Sequence, residues 1–332
     1  MATEKLTFQA VLRWDEEQCR DFLASMRWPD GVRCPKCGST EEPYKITRKA
    51  VSKNKVQSLY RCRSCRRQFS ATLGTIFEDS KIPLNKWLAA LFLMCSSKKG
   101  ISAHQLYRML DLGSYRTGWF MAHRIREAMR EKGLLTPLSG DVEADETYLH
   151  PRRRRGSPVY HERIQDEIEM GIRPKPRRKG PYEDKPIVFG MQERGGNVRT
   201  VHVKDTTTRT LHPIIRRWID SLNTRLITDQ HPAYRLLSKY VRHDAINHEL
   251  EFVRGDIHTQ NIDNYWSIFK RGVYGVFHHI GEDYLPCYLS EFDFRRNRRK
   301  VSDAERFASL MGQLQGRVTW YCQTPQPENP FA

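Results

Sequence analysis

A multidomain α+β protein is what this sequence predicts, and three observations predict it. Two Cys-x2-Cys pairs, Cys34/Cys37 and Cys62/Cys65, stand 24 residues apart near the start of the chain. A long stretch of helical periodicity follows, interrupted by a glycine turn. The second half alternates short strand-like runs with helical ones, beginning with an acidic segment, Gly140–Leu149, that reads GDVEADETYL.

From the start, Val11, Leu12, Cys19, Phe22, Leu23 and Met26 recur at helical spacing and predict a short helix or two within Phe8–Met26. Trp28-Pro29-Asp30-Gly31 ends them. The two cysteine knuckles then match a zinc ribbon, because zinc takes four soft ligands in a tetrahedron and each knuckle supplies two thiolates: Cys34, Cys37, Cys62 and Cys65. Val56–Arg61 between them alternates as a hairpin strand does. So small a module buries little core, so the metal would supply its folding energy. Its many lysines and arginines suit DNA, and a ribbon equally mediates protein contacts. Cys19, Cys95, Cys287 and Cys322 are unpaired in the sequence and read as buried small hydrophobes.

Leu84–Cys95 and Ile101–Arg130 read as helical. Ser102 caps a helix through Met109, Asp111-Leu112-Gly113-Ser114 is a turn, and Arg116–Met129 is a second, basic helix. Helix, glycine turn and basic helix describe a helix-turn-helix, which would bring Arg116, His123, Arg124 and Arg126 toward DNA; an ordinary helical hairpin has the same pattern.

In the acidic strand, alternation sets Glu143 and Asp145 on one face and Val142, Ala144 and Glu146 on the other. Arg152-Arg153-Arg154-Arg155 follows it directly. Such acids can hold a divalent cation while the arginines hold a polyanion; an edge strand with solvated charges is the plain alternative. The stretch Pro151–Lys185, basic and proline-rich, reads as an insertion with a helical piece near Ile164–Met170. Ile187–Gln192 and Val198–Val203 are strands joined at Gly195-Gly196, Thr206–Asp220 is a helix, Arg225–Thr228 is a short strand ending in Asp229, and Pro232–Tyr240 begins another helix. This order is that of an α/β ribonuclease-H-like domain, in which the first and fourth strands lie side by side, so Asp145 and Asp229 would meet at one sheet edge.

Asn261–Gly275 reads as a helix. Ile262, Trp266, Phe269 and Val273 form an apolar stripe on it. At 3.6 residues per turn, Asp263 flanks this stripe about 100° from Ile262, Ser267 and Lys270 continue along the same flank, and Asn264 turns away from the sheet. Asp145, Asp229 and Asp263 together can hold two divalent metals, magnesium or manganese, the arrangement that clamps a phosphoryl displacement.

These motifs carry a resemblance. Cys-Pro-Lys-Cys-Gly and Tyr-Arg-Cys-Arg-Ser-Cys, the segment Thr75–Leu84, Asp145-Glu146-Thr147, Thr228-Asp229, His258–Gly272 (HTQNIDNYWSIFKRG) and Tyr288–Arg299 (YLSEFDFRRNRR) resemble bacterial insertion-sequence transposases with a retroviral-integrase-like DDE domain, of the group numbered fifteen ninety-five. The third motif of that group usually carries Glu where this chain has Asp263. The resemblance implies metal-dependent cleavage at element ends and strand transfer into target DNA by a homo-oligomer on double-stranded DNA. It also implies Asp145, Asp229 and Asp263 as catalytic carboxylates; Lys270, on the Asp263 flank, joins that catalytic set, and the residues read as DNA contacts are Arg116, Arg124 and Arg126 of the basic helix, Arg152, Arg153, Arg154 and Arg155 of the cationic run, and Lys270 and Arg271. A DNA-binding regulator with an inactive site, or a nuclease without transposition, are the other classes.

The domains so read are 1–74 (helix and ribbon), 75–135 (helix-turn-helix region), 136–320 (catalytic domain with insertion 151–185) and a tail, 321–332. Composition narrows the partners. A net charge of +17 favours a polyanion. The longest apolar run, Trp87–Cys95, has nine residues, against the roughly 20 that span a bilayer. With no signal-peptide pattern at its start, the chain is expected in the cytoplasm, with the nucleoid.

Overall fold

The structure is a computed structural model, and it describes residues 6–48, 57–131, 136–149, 185–247, 250–251 and 253–314. The expected insertion helix near 164–170, the arginines 152–155 and Cys322 lie outside the described residues. Contacts divide the chain into two units, one of residues 1–135 with 271–332, the other Thr136–Lys270.

The first unit begins with α1 (Phe8–Arg13), capped by Thr7, and α2 (Glu16–Arg27), closed by a reciprocal capping box between Asp15 and Gln18. Three antiparallel strands follow, β1 (Tyr44–Arg48), β2 (Gln57–Arg61) and β3 (Gln68–Phe69). Helix α3 (Leu84–Ser96) is apolar on nearly every side and is buried accordingly, from Leu84 and Trp87 through Cys95. Ser102 caps α4 (Ala103–Met109) through the Gln105 amide, and Ser114 caps α5 (Tyr115–Met129) through that of Thr117. Asp111, between them, takes φ 46° in the turn.

The second unit is one five-stranded sheet with helices on its faces. Its strands are β4 (Leu138–Tyr148), β5 (Ile187–Glu193), β6 (Val198–Val203), β7 (Ile219–Asp229) and β8 (Arg242–Ile246), in spatial order β6-β5-β4-β7-β8. β4, β5 and β6 pair antiparallel; β4 with β7 and β7 with β8 pair parallel. Helix α6 (Thr208–Trp218) joins β6 to β7, and its Leu211, Ile214 and Ile215 share a core with Val142 and Ala144 of β4. Helix α7 (Gln260–Gly272) lies on the other face, over Glu143 and Asp145. The chain then returns to the first unit with α8 (Leu285–Asn297) and α9 (Asp303–Met311), the latter opened by a Ser302–Glu305 capping box.

Three expectations change. The helix expected from Pro232 is two 3-10 turns, Pro232–Tyr234 and Leu237–Lys239: the buried residues Tyr234 and Leu237 recur every three positions, the 3-10 period. The short strand at Arg225–Thr228 is the end of an 11-residue strand. Strand β8 has no counterpart in the sequence reading, because RHDAI is charged and only Ile246 of it is fully buried. The segment from Arg271 onward groups with residues 1–135, and one core runs from Val11 through the ribbon residues Tyr60 and Phe69 to α3, α5, Phe294 and Phe307.

Candidate active site

The site is built from the middle of the sheet outward. β4 and β7 are neighbours in parallel, with Glu143 opposite Ile227. Carried on two residues, that register sets Asp145 of β4 beside Asp229, the last residue of β7, where the pairing of the two strands runs out and where open α/β sheets bind their ligands. The alternation of β4 then separates its acids. Glu143 and Asp145 face α7, while Glu146 faces the turn after β7.

Glu143 is wholly buried and fixes where α7 begins. Its carboxylate accepts from the backbone N–H groups of Asn261 (2.7 Å) and Ile262 (3.1 Å), from Asn261 Nδ2 (2.8 Å) and from Arg194 Nε (2.9 Å). The first turn of a helix carries unsatisfied N–H groups and partial positive charge, so a buried carboxylate there is held from several sides at once. One turn on, Trp266 donates its indole N–H to Asp145 Oδ2 at 2.9 Å. The indole lies in space left by Gly190, the residue paired with Asp145 on β5; a Cβ there would come within 2.6 Å of the Trp266 ring.

The apolar stripe is as the sequence spacing requires: Ile262, Trp266, Phe269 and Val273 are buried, as is Tyr265. Asp263 and Asn264 are both exposed, and Thr259 donates its hydroxyl to Asp263 Oδ2 at 3.0 Å. Lys270 is half-buried and Arg271 exposed. Burial first, and then the charges of Glu146, Asp263 and Asp229, push the Asp145 carboxyl up to about 8. The four acids therefore share one electrostatic field. They do not converge: among the described residues only the four ribbon cysteines form a group of three or more metal-binding side chains with ligand atoms within 4.8 Å of one another. Like charges repel, and each carboxylate keeps its own donors. Asp229 Oδ1 accepts from the His231 N–H at 3.0 Å; Glu146 accepts from the Tyr234 hydroxyl at 2.5 Å and lies 3.7 Å from His231 Nδ1. Burial pushes Glu146 up to about 7, the Tyr234 bond opposing and the Asp229 charge adding to it.

In the ribbon, Cys34 Sγ lies 3.7 Å from Cys65 Sγ and Cys37 Sγ 3.6 Å from Cys62 Sγ. A zinc tetrahedron with Zn–S of about 2.3 Å has edges of about 3.8 Å, so the four thiols fit zinc closely. The Cys65 N–H, donating to Cys62 Sγ at 3.4 Å, helps hold Cys62 at about 6, in the range where it is a thiolate at neutral pH.

The expected DNA contacts of the helix pair divide. Arg116 is exposed, its guanidinium 5.4 Å from the Phe120 ring centroid. Arg126 is corrected: it is 1% exposed and ion-paired to the fully buried Glu291 of α8 at 2.6 Å, so it is a core residue and cannot reach a phosphate. Arg124 is half-buried and donates to the carbonyls of Ile76 (3.1 Å) and Glu78 (3.3 Å), which ties the segment before α3 to α5. His123 is buried among Trp119, Tyr284 and Tyr288, and burial, with the Arg126 charge, pushes it down to about 3. The helical period alone does not say which face of α5 meets α8.

Sequence reasoning missed Gly190, His231 and Tyr234, read Glu143 only among the acids that can hold a cation, and read Trp266 only as part of the apolar stripe. Glu143 carried a signal: a carboxylate between Val142 and Ala144, in the middle of a strand, needs donors when it is buried, and a helix start supplies them.

Among known proteins, the family model for the ISXO2-like transposase domain matches residues 137–297, and that for the transposase zinc-ribbon domain matches residues 14–68. A protein of Halobacterium salinarum, described as an uncharacterized protein in transposable element ISH50, is 28% identical over 301 residues, which cover 89% of this chain and 96% of that protein. No helix among the described residues is long and apolar enough to cross a membrane.

Proposed function

Because this chain belongs to the ISXO2-like insertion-sequence transposases, group fifteen ninety-five, we propose that it cuts DNA at the ends of its element and joins those ends to target DNA. The observation that carries the reading is the β4–β7 register, which brings Asp145 beside Asp229 at the carboxyl end of β7, with the charge of Asp263 acting on Asp145. The sheet order β6-β5-β4-β7-β8, three antiparallel strands followed by two parallel ones, supports a ribonuclease-H-like catalytic domain. The pair α4–α5 supports a helix-turn-helix with Arg116 on its exposed side, and the net charge of +17 supports a DNA partner.

Asp145, Asp229 and Asp263 are the residues that would hold magnesium or manganese, since all three offer the hard carboxylate oxygens these cations take. When bound, such cations stabilise charge on the attacking and leaving oxygens of a phosphodiester. The chain's own residues do the rest. Burial and neighbouring carboxylates raise the affinity of Asp145 for positive charge. Trp266 fixes the orientation of its Oδ2. Glu143 anchors the helix that bears Asp263, and Lys270 and Arg271, at the end of that helix, meet DNA phosphates. Action at two element ends calls for more than one copy of the chain on DNA.

The test is separation of binding from chemistry. Asp145→Asn and Asp229→Asn are expected to abolish magnesium-dependent cleavage and joining of element-end duplexes while leaving their binding intact or stronger, since each removes a negative charge. Asp263→Ala removes cleavage, Asp263→Glu retains part, and Asn264→Ala has much the smaller effect. Cleavage that survives in either Asn variant refutes the site, and a wild-type chain that binds these ends without cutting them is a regulator.

A further inference from the structure

The second unit carries a cationic surface that the proposed site does not use. Helix α6 covers the face of the sheet opposite α7, with Leu211, Ile214 and Ile215 turned inward, and its outer side exposes Arg209, Arg216 and Arg217. No acid occurs between Asp205 and Asp220, nor between Asp229 and Asp244, where Arg235, Lys239 and Arg242 are also exposed.

The two stretches touch. His212 Nε2 lies 2.8 Å from the Ala233 carbonyl, and the Arg216 guanidinium stacks 3.6 Å from the ring centroid of Tyr240, itself 47% exposed. Among the described residues none of the six cations is in an ion pair. Like charges gathered without counter-charges repel one another, and this repulsion is relieved when a polyanion neutralises them. Arg209 and Arg216 are seven residues apart on one side of α6, about 10 Å along its axis. Arg209 and Arg216 thus lie along the helix axis, and the stretch that bears Arg235, Lys239 and Arg242 adjoins them through the Arg216–Tyr240 and His212–Ala233 contacts, a spread of charge that suits a polymer. Stacking on Tyr240 holds the Arg216 guanidinium flat at the surface, so less freedom is lost when it binds.

The surface also adjoins the site. Arg235 directly follows Tyr234, whose hydroxyl bonds Glu146, and the same turn gives the His231 N–H to Asp229. We propose that this surface binds a second segment of duplex DNA through its phosphates, on the face of the sheet opposite Lys270. The proposal rests on the reading of the chain as a DNA-end transferase, a reaction that brings two DNA segments to one set of carboxylates.

The test uses the full chain with alanine at Arg216, Arg217, Arg235 and Lys239 together, titrated with random-sequence duplex DNA over a range of salt. Each lost phosphate contact removes about 0.9 from the slope of log K against log salt. The slope is expected to become shallower by about three to four, also on protein that carries Asp145→Asn and cannot cut. A slope unchanged to within about one such contact overturns the proposal. A photo-crosslinking residue at Leu236, exposed on the same surface, gives a second readout on otherwise unaltered protein. Crosslinks to the duplex are expected; crosslinks only to another copy of the chain, or none, overturn it. Absence of cleavage in the wild type refutes the transposase reading and leaves both measurements standing.

Discussion

Replacing Glu143 by alanine removes the buried carboxylate that ties α7 to β4. The loss is worked from its partners. Arg194 Nε at 2.9 Å, the N–H groups of Asn261 and Ile262, and Asn261 Nδ2 all lose their acceptor together. Breaking a buried ion pair from one side costs about 3–5 kcal/mol. Arg194 is 19% exposed, so water recovers part of its share, and the low end, about 3 kcal/mol, applies. At about 1.4 kcal/mol per tenfold, amide exchange at Asn261 and Ile262 should accelerate about 100-fold. Thermal unfolding of the second unit should fall by about 10 °C, from roughly 4 °C per kcal/mol for a domain of its size. Cleavage should fall too, because Asp263 rides on α7. Glu143→Gln keeps the shape but sets an amide N–H2 against some of the donors, and should lie between. The measurement is hydrogen exchange on the full chain, read at the start of α7. Unchanged exchange at both residues, with a thermal shift within about 2 °C, would refute the anchoring argument.

Purified protein should hold about one zinc per chain, and Cys34→Ser or Cys65→Ser should release it and unfold the ribbon strands; metal analysis with circular dichroism decides, and retained zinc sinks the assignment. Gly190→Ala drives a methyl into the Trp266 ring and should cost about 1–3 kcal/mol by overpacking. Trp266→Phe removes the colliding atoms, so the double variant should be more stable than Gly190→Ala alone in urea unfolding, and strict additivity of the two changes would contradict the contact. For His123 the folded pKa, about 3, lies below the ordinary 6.5, so the fold binds fewer protons than the unfolded chain. The stability linked to it is full above that value and is lost as pH falls from there toward 3, by about 1.4 kcal/mol per pH unit. The urea midpoint should fall between pH 7 and pH 5 and do so less in His123→Phe; equal slopes would show that His123 is not the titrating group.

Much of the site was legible along the chain. The ribbon cysteines declare themselves by spacing, since two knuckles leave a tetrahedral metal little choice of partners. The stripe Ile262–Trp266–Phe269–Val273 fixed the face of α7 that meets the sheet, because burial follows a 3.6-residue period. The separation of Glu143 and Asp145 from Glu146 followed from the two-residue period of a strand. Arg126 and His123 were misplaced because a basic, aromatic helix offers two plausible outer faces, and only the arrival of Glu291, 165 residues later, shows which one is inside.

What the sequence by itself determined are the local quantities: periods, caps, turns, metal spacing and the sign of the overall charge. These depend on neighbours within a few residues, and each is set by covalent geometry or by one nearby hydrogen bond. The tertiary structure alone decided the rest. It joined residues 271–314 to the first unit, set β8 at the sheet edge, fitted Trp266 against Gly190 and brought the cations of α6 against those after Asp229. Each of these depends on surfaces far apart in the chain meeting at close-packed distance, and burial energy, which is not directional, leaves no periodic trace of which surface will be the partner.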